Sequence, residues 1–154
     1  MASVFDVAAY VLTQAGYVST MKLQKLVYYS QAFNLVKSGS PLFPEEIEAW
    51  ANGPVVPALF SKHRGRYVIG PEDSPSIGNA EKLSDAERSC VDHVVRTLGD
   101  KTGAQLSSLT HAENPWTSAR CGLPEGARSH NVISVNSIRA YYSSGSARFN
   151  PVFE

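Results

Sequence analysis

Net charge is what this chain lacks first: 14 Lys and Arg balance 14 Asp and Glu in 154 residues. Dedicated nucleic-acid binders carry a basic excess, because neutralising phosphates supplies most of their non-specific affinity. The balance therefore argues against nucleic acid as a partner. One local basic patch remains at Lys62, His63, Arg64 and Arg66, and the acids Glu72, Asp73, Glu81, Asp85 and Glu87 follow close behind to offset it. Cysteine is scarce as well. Cys90 and Cys121 are too few for a disulfide framework in a chain of this length. Long apolar runs are absent, and none approaches the roughly 20 residues that span a bilayer. The opening Met1-Ala2-Ser3 leads straight into an amphipathic stretch rather than a signal peptide. A cytoplasmic location is the expectation, with no membrane partner.

Signatures of chemistry are equally sparse. His63, His93, His111 and His130 are scattered, with no His-x-x-x-His or Cys-x-x-Cys spacing, so no metal site is expected. The glycines at 99, 103, 122 and 126 do not compose a phosphate-cradling loop after a strand, and no cofactor is expected. No catalytic residues are assigned. An enzyme centred on His111, with Glu113 or Cys121 beside Trp116, stands as an alternative, because a nucleophile needs only a base and an orienting group in space. A nucleic-acid binder using the 62–66 loop is the other.

What is present is helical patterning. Ser3 with Asp6 resembles a capping box, followed by Phe5, Ala8, Ala9 and Leu12 on one face and Gly16 as a stop. Ser19-Thr20 opens the best-marked helix, which runs to about Lys37. Leu23, Leu26, Val27 and Phe33 form its apolar stripe, while Gln24, Tyr28 and Gln31 lie on another face and need partners. Lys22 and Lys25 read as stems lying on apolar surface with exposed ammonium groups. Ile47 to Trp50 alternates as a short extended segment, and Pro54 is placed to begin a helix through Phe60. Arg64 to Lys82 is the longest loop candidate. Ser84 with Glu87 is a second capping box, opening a helix to Leu98. Thr102, Asn114-Pro115-Trp116 and Ser134 start three further helical segments, and residues 143–154 read as a loose tail. The expectation is a mainly α fold, a single compact domain over residues 1–154. It has about six helices, with a small β-ribbon near residues 45–52 and 66–70.

Trp50 and Trp116 both sit beside turn-forming segments, where a large ring anchors the turn. Contact with a partner is the other reading, since tryptophan is enriched in interface hot spots. His111, at a helix end, reads as a cap for terminal carbonyls.

Several blocks together resemble one family, the Panacea domain of SocA-like antitoxins and the phage-associated GepA proteins. They are Met21-Lys22-Leu23-Gln24-Lys25-Leu26-Val27-Tyr28-Tyr29, Pro41-Leu42-Phe43, Ile47-Glu48-Ala49-Trp50, Asn52-Gly53-Pro54-Val55-Val56 and Leu83-Ser84. The run from Leu106 through Thr110-His111-Ala112-Glu113-Asn114-Pro115-Trp116 to Arg120, and Ile133-Ser134 with Ile138 and Tyr141-Tyr142, complete the set. The ordered blocks span about residues 5 to 142, and the loop from Ser61 to Lys82 carries no family signal. The resemblance implies a bacterial or prophage antitoxin that neutralises a cognate toxin by direct binding, and in some members an adaptor that presents the toxin to the ClpXP protease. Homo-oligomers are compatible with it. The motif residues singled out for partner binding or family identity are Lys22, Gln24, Lys25, Tyr28, Trp50, Asn52, Gly53, Pro54, Thr110, His111, Pro115 and Trp116.

Overall fold

A computed structural model describes residues 1–154. Eight α-helices run in chain order: α1 Val4–Ala15, α2 Thr20–Ser38, α3 Pro57–His63, α4 Ser74–Ile77, α5 Asp85–Leu98, α6 Gly103–His111, α7 Asn114–Ala119 and α8 Val135–Ser143. Five short strands accompany them: β1 Val18–Ser19, β2 Ile47–Trp50, β3 Gly53–Val55, β4 Val68–Ile69 and β5 Val132–Ile133. β1 and β4 form an antiparallel pair, and a second sheet has the order β3-β2-β5 with both pairings antiparallel. The expected mainly α fold with a small ribbon is present, and its two extended regions fall at β2 and β4.

The capping chemistry explains the helix starts. Ser3 Oγ accepts from the Asp6 amide at 3.2 Å while the Asp6 carboxylate accepts from the Ser3 amide at 3.0 Å. Ser84 with Glu87 and Thr102 with Gln105 repeat the arrangement at α5 and α6. Gly39 ends α2 in the left-handed conformation. Every residue of α2 from Leu23 to Leu35 is buried. A helix wrapped on all sides is a central element, and α1, α5, α6 and α8 pack around it. One core cluster contains 35 buried apolar residues, from Ala2 to Val152.

Three segments differ from expectation. Pro54 does not begin a helix; it pairs opposite Ala49 in β3, and α3 starts at Pro57. Gly53, with φ +115°, turns the chain tightly after Trp50, and Pro54 follows on an edge strand, where a missing N–H is tolerated. Residues 64–82 are not one long loop. They contain β4, α4 and two 3₁₀ turns, and they are tied to α1 by polar contacts: Ser74 Oγ donates to the Ala9 carbonyl at 2.9 Å, and the Asn79 amide donates to Asp6 at 2.9 Å. Such tethers leave no apolar period to read. Residues 143–154 are not loose, because Ala147, Asn150 and Val152 are buried and a 3₁₀ turn spans Pro151–Phe153.

Candidate functional site

Two lysines one turn apart on α2 have opposite fates. Lys22 is partly exposed and donates to the Gly99 carbonyl at 2.6 Å. Lys25 is 1% exposed, and its Nζ donates only to the Pro54 carbonyl, at 3.1 Å. The sequence expectation of an exposed ammonium therefore fails at Lys25. The hairpin of β2 and β3 folds over it, so close that a Cβ on Gly53 would stand 2.8 Å from Lys25 Cε and 2.9 Å from Thr110 Oγ1. No carboxylate pairs with Lys25. Burial accordingly lowers its pKa to about 7.

Beside it, Gln24 clasps the start of α3. Its Oε1 accepts from the Val56 amide at 2.9 Å, which turns its Nε2 toward His63 Nε2 at 3.0 Å. The amide nitrogen can only donate, so His63 accepts at Nε2 and is the neutral tautomer protonated at Nδ1. Burial lowers the His63 pKa and so holds it in that form.

These residues face a cleft of about 490 Å³ lined also by Thr20, Trp50, Asn52, Phe60, Arg64 and Arg128–His130. Trp50 meets Phe60 edge-to-face with centroids 5.1 Å apart, and His130 at 5.8 Å. Glu48 accepts from Trp50 Nε1 at 2.9 Å and lies 3.1 Å from His130 Nδ1. The 122–131 loop that supplies this wall is gathered by Arg120. Its buried guanidinium donates to the carbonyls of Ala49, Pro124, Glu125 and Ala127 at 2.7–3.2 Å, and lies 4.8 Å from the centre of the Trp116 ring. Trp116 in turn donates to the Trp50 carbonyl at 2.8 Å.

His111 does not cap carbonyls as expected. Its ring stacks on Trp116 with centroids 3.8 Å apart, and its Nδ1 lies 3.1 Å from Glu125. Pro115 sits buried in the first turn of α7, next to Trp116. A shallow hollow of about 250 Å³ lies against this stack.

A second polar cluster lies inside the core. Glu113, 4% exposed, accepts from Tyr29 at 2.6 Å, Tyr142 at 2.7 Å and Asn150 at 2.9 Å. Tyr28 then donates to the Tyr142 oxygen at 3.1 Å, because the Tyr142 proton is already committed to Glu113. Burial raises the Glu113 pKa despite three donors, and it raises those of Tyr28, Tyr29 and Tyr142.

Of the residues singled out in the sequence, Gln24, Lys25, Trp50 and Asn52 meet at the cleft, and Gly53, Pro54 and Thr110 close around Lys25. His111 and Trp116 brace its wall from outside. Tyr28 belongs to the Glu113 cluster, and Lys22 lines a different hollow with Tyr17 and Tyr67. The basic patch does not persist as one surface: His63 is buried, Lys62 lies over the Phe5 ring, and Arg66 pairs with Asp73 at 2.8 Å. Arg120, Arg128 and His130 were not anticipated as site residues, and Glu113 was singled out only beside His111 in the enzyme alternative, whereas it lies with Tyr29, Tyr142 and Asn150. Arg120 follows Thr117-Ser118-Ala119 at the end of α7, where nothing in the sequence marks it as buried.

No helix is long and apolar enough to cross a membrane. A family profile described as Antitoxin SocA-like, Panacea domain, matches residues 23–117. Antitoxin SocA of Caulobacter vibrioides (strain NA1000 / CB15N) is 30% identical over 110 residues, covering 64% of this chain and 58% of that protein. No solved structure matches the chain.

Proposed function

The chain belongs to the SocA-like antitoxin, Panacea domain family, and from that premise we propose that it is the antitoxin of a toxin–antitoxin pair, neutralising a cognate toxin by direct protein–protein binding. The family match carries the reading. The structure is compatible with a binding module: the best-marked sequence blocks build the buried frame around α2. The His111 grouping offers an acid, an imidazole and an indole, with no nucleophile hydrogen-bonded to the imidazole.

Expression of the adjacent open reading frame alone should arrest bacterial growth, and co-expression of this chain should restore it. A harmless neighbour removes the reading's main support. An adaptor role toward a ClpXP-type protease would appear as a toxin half-life that shortens only when this chain and the protease are both present.

A further inference from the structure

We propose that the cleft between α2, the β2–β3 turn, α3 and residues 128–130 binds a phosphomonoester carried on a planar aromatic base: a mononucleotide, or the phosphorylated end of a nucleic-acid strand. The proposal does not depend on the antitoxin reading.

Charge is the first observation. Lys25, Arg64 and Arg128 line the cleft together with His63 and His130, and no acidic side chain does. In a chain whose charges cancel overall, this is a local concentration of one sign. The cations are also unengaged. Arg128 makes no hydrogen bond or ion pair within the protein, and Arg64 only lies over the Phe60 ring at 5.7 Å. Lys25, when protonated, has three donors and uses one. A buried amine facing a single carbonyl keeps its proton at the expense of stability, and an anion beside it would hold the charged form. Two guanidinium forks and one ammonium match a dianion better than a single carboxylate, and the fork geometry suits phosphate oxygens. His130 adds little, because Glu48 already faces it.

Shape is the second observation. A volume of about 490 Å³ lies within the range of small-molecule sites and exceeds what a bare phosphate ion fills. The remaining wall is aromatic: half-buried Trp50 is held edge-to-face by Phe60 and His130, so its ring is fixed before any ligand arrives. Preorganised aromatic faces stack nucleobases without regard to sequence. Asn52, Thr20 and Ser129 supply neutral hydrogen-bonding groups along the same wall.

Isothermal titration of the whole chain with AMP, GMP, CMP and UMP tests this, alongside adenosine, inorganic phosphate, a 5′-phosphorylated trinucleotide and an acetylated Asp-Phe-Glu peptide. At least one mononucleotide should bind below about 1 mM, with adenosine and phosphate each at least about tenfold weaker. The double variant Arg64→Gln/Arg128→Gln should weaken that binding at least about tenfold with Tm unchanged, since neither side chain is hydrogen-bonded in the fold. A trinucleotide about tenfold tighter than the mononucleotide assigns the source to strand ends; equal or weaker binding assigns it to free nucleotides. The proposal is overturned if no mononucleotide binds at about 5 mM, if adenosine binds as well as AMP, or if the double variant binds normally. Tighter binding of the acidic peptide also overturns it, in favour of a protein segment as occupant.

Discussion

The side chain of Lys25 occupies the space where a side chain on Gly53 would begin, with Cε 2.8 Å and Nζ 3.3 Å from an ideal Cβ. The backbone of Gly53 also has φ +115°, a conformation that L side chains rarely adopt. Gly53→Ala therefore meets strain and collision together and should destabilise the fold by about 2–4 kcal/mol in urea titration. Lys25→Ala in the same chain removes the Lys25 part of the collision but leaves Thr110 Oγ1 at 2.9 Å and the backbone strain. The double variant should recover part of that loss, and strict additivity would show that the contact carries no energy.

Lys25 also makes stability depend on pH. Its folded pKa, about 7, lies below its ordinary value of 10.5. Between those values the unfolded chain holds a proton that the folded chain has released, so stability rises with pH. The limiting slope is about 1.4 kcal/mol per unit. Stability is lost as pH falls toward 7 and is flat below it for this group. Lys25→Met should abolish the rise between pH 7.5 and 9.5 in thermal unfolding. It should also be more stable than the parent at pH 6, where the parent must bury a charge. A parallel pair of pH curves would assign the dependence to other groups.

Glu113 is arranged to accept only. Asn150 cannot turn its amide to accommodate a donor, because its Oδ1 accepts from the Val152 amide at 3.0 Å. Glu113→Gln sets an NH2 against the Asn150 NH2 and should cost about 1–3 kcal/mol. The cost should appear first as release of residues 143–154, seen as faster tryptic cleavage after Arg148. Unchanged cleavage would separate the tail from this cluster.

Arg120 is the hub of the 122–131 loop. Arg120→Lys keeps the charge but cannot reach four carbonyls with one ammonium. Amide exchange across residues 122–131 should rise at least about tenfold, while α2 amides stay protected to the global limit. Equal loss of protection everywhere would mean that Arg120 holds the whole fold rather than its loop.

The helices were legible because their starts are local. Ser3, Ser84 and Thr102 each bond a residue three positions away, so four residues of sequence contain the whole interaction. The spine was legible too, since Leu23, Leu26, Val27 and Phe33 recur at helical spacing and are all buried. Pro54 misled because a proline suits both a first helical turn and an edge strand, and Ala49 across the ladder decides between them. Lys25 misled for a similar reason. A lysine on an amphipathic helix snorkels by default, and only a hairpin arriving from residues 47–55 encloses it. The cleft was half visible: Gln24, Lys25, Trp50 and Asn52 stood out, whereas Arg128 and His130 lie in a loop whose path depends on Arg120.

Asn150 completes the shell of a carboxylate whose other donors come from positions 29 and 142. Ribosomes deliver chains from the N-terminus, so α1 to α7 emerge while Glu113 still lacks two of its three donors. Hydrophobic collapse around α2 can begin early, but the interior carboxylate gains its full set of donors only once Tyr142 and Asn150 are in place. A ribosome stalled after α7 therefore holds a nascent chain in which this carboxylate has one donor in place of three.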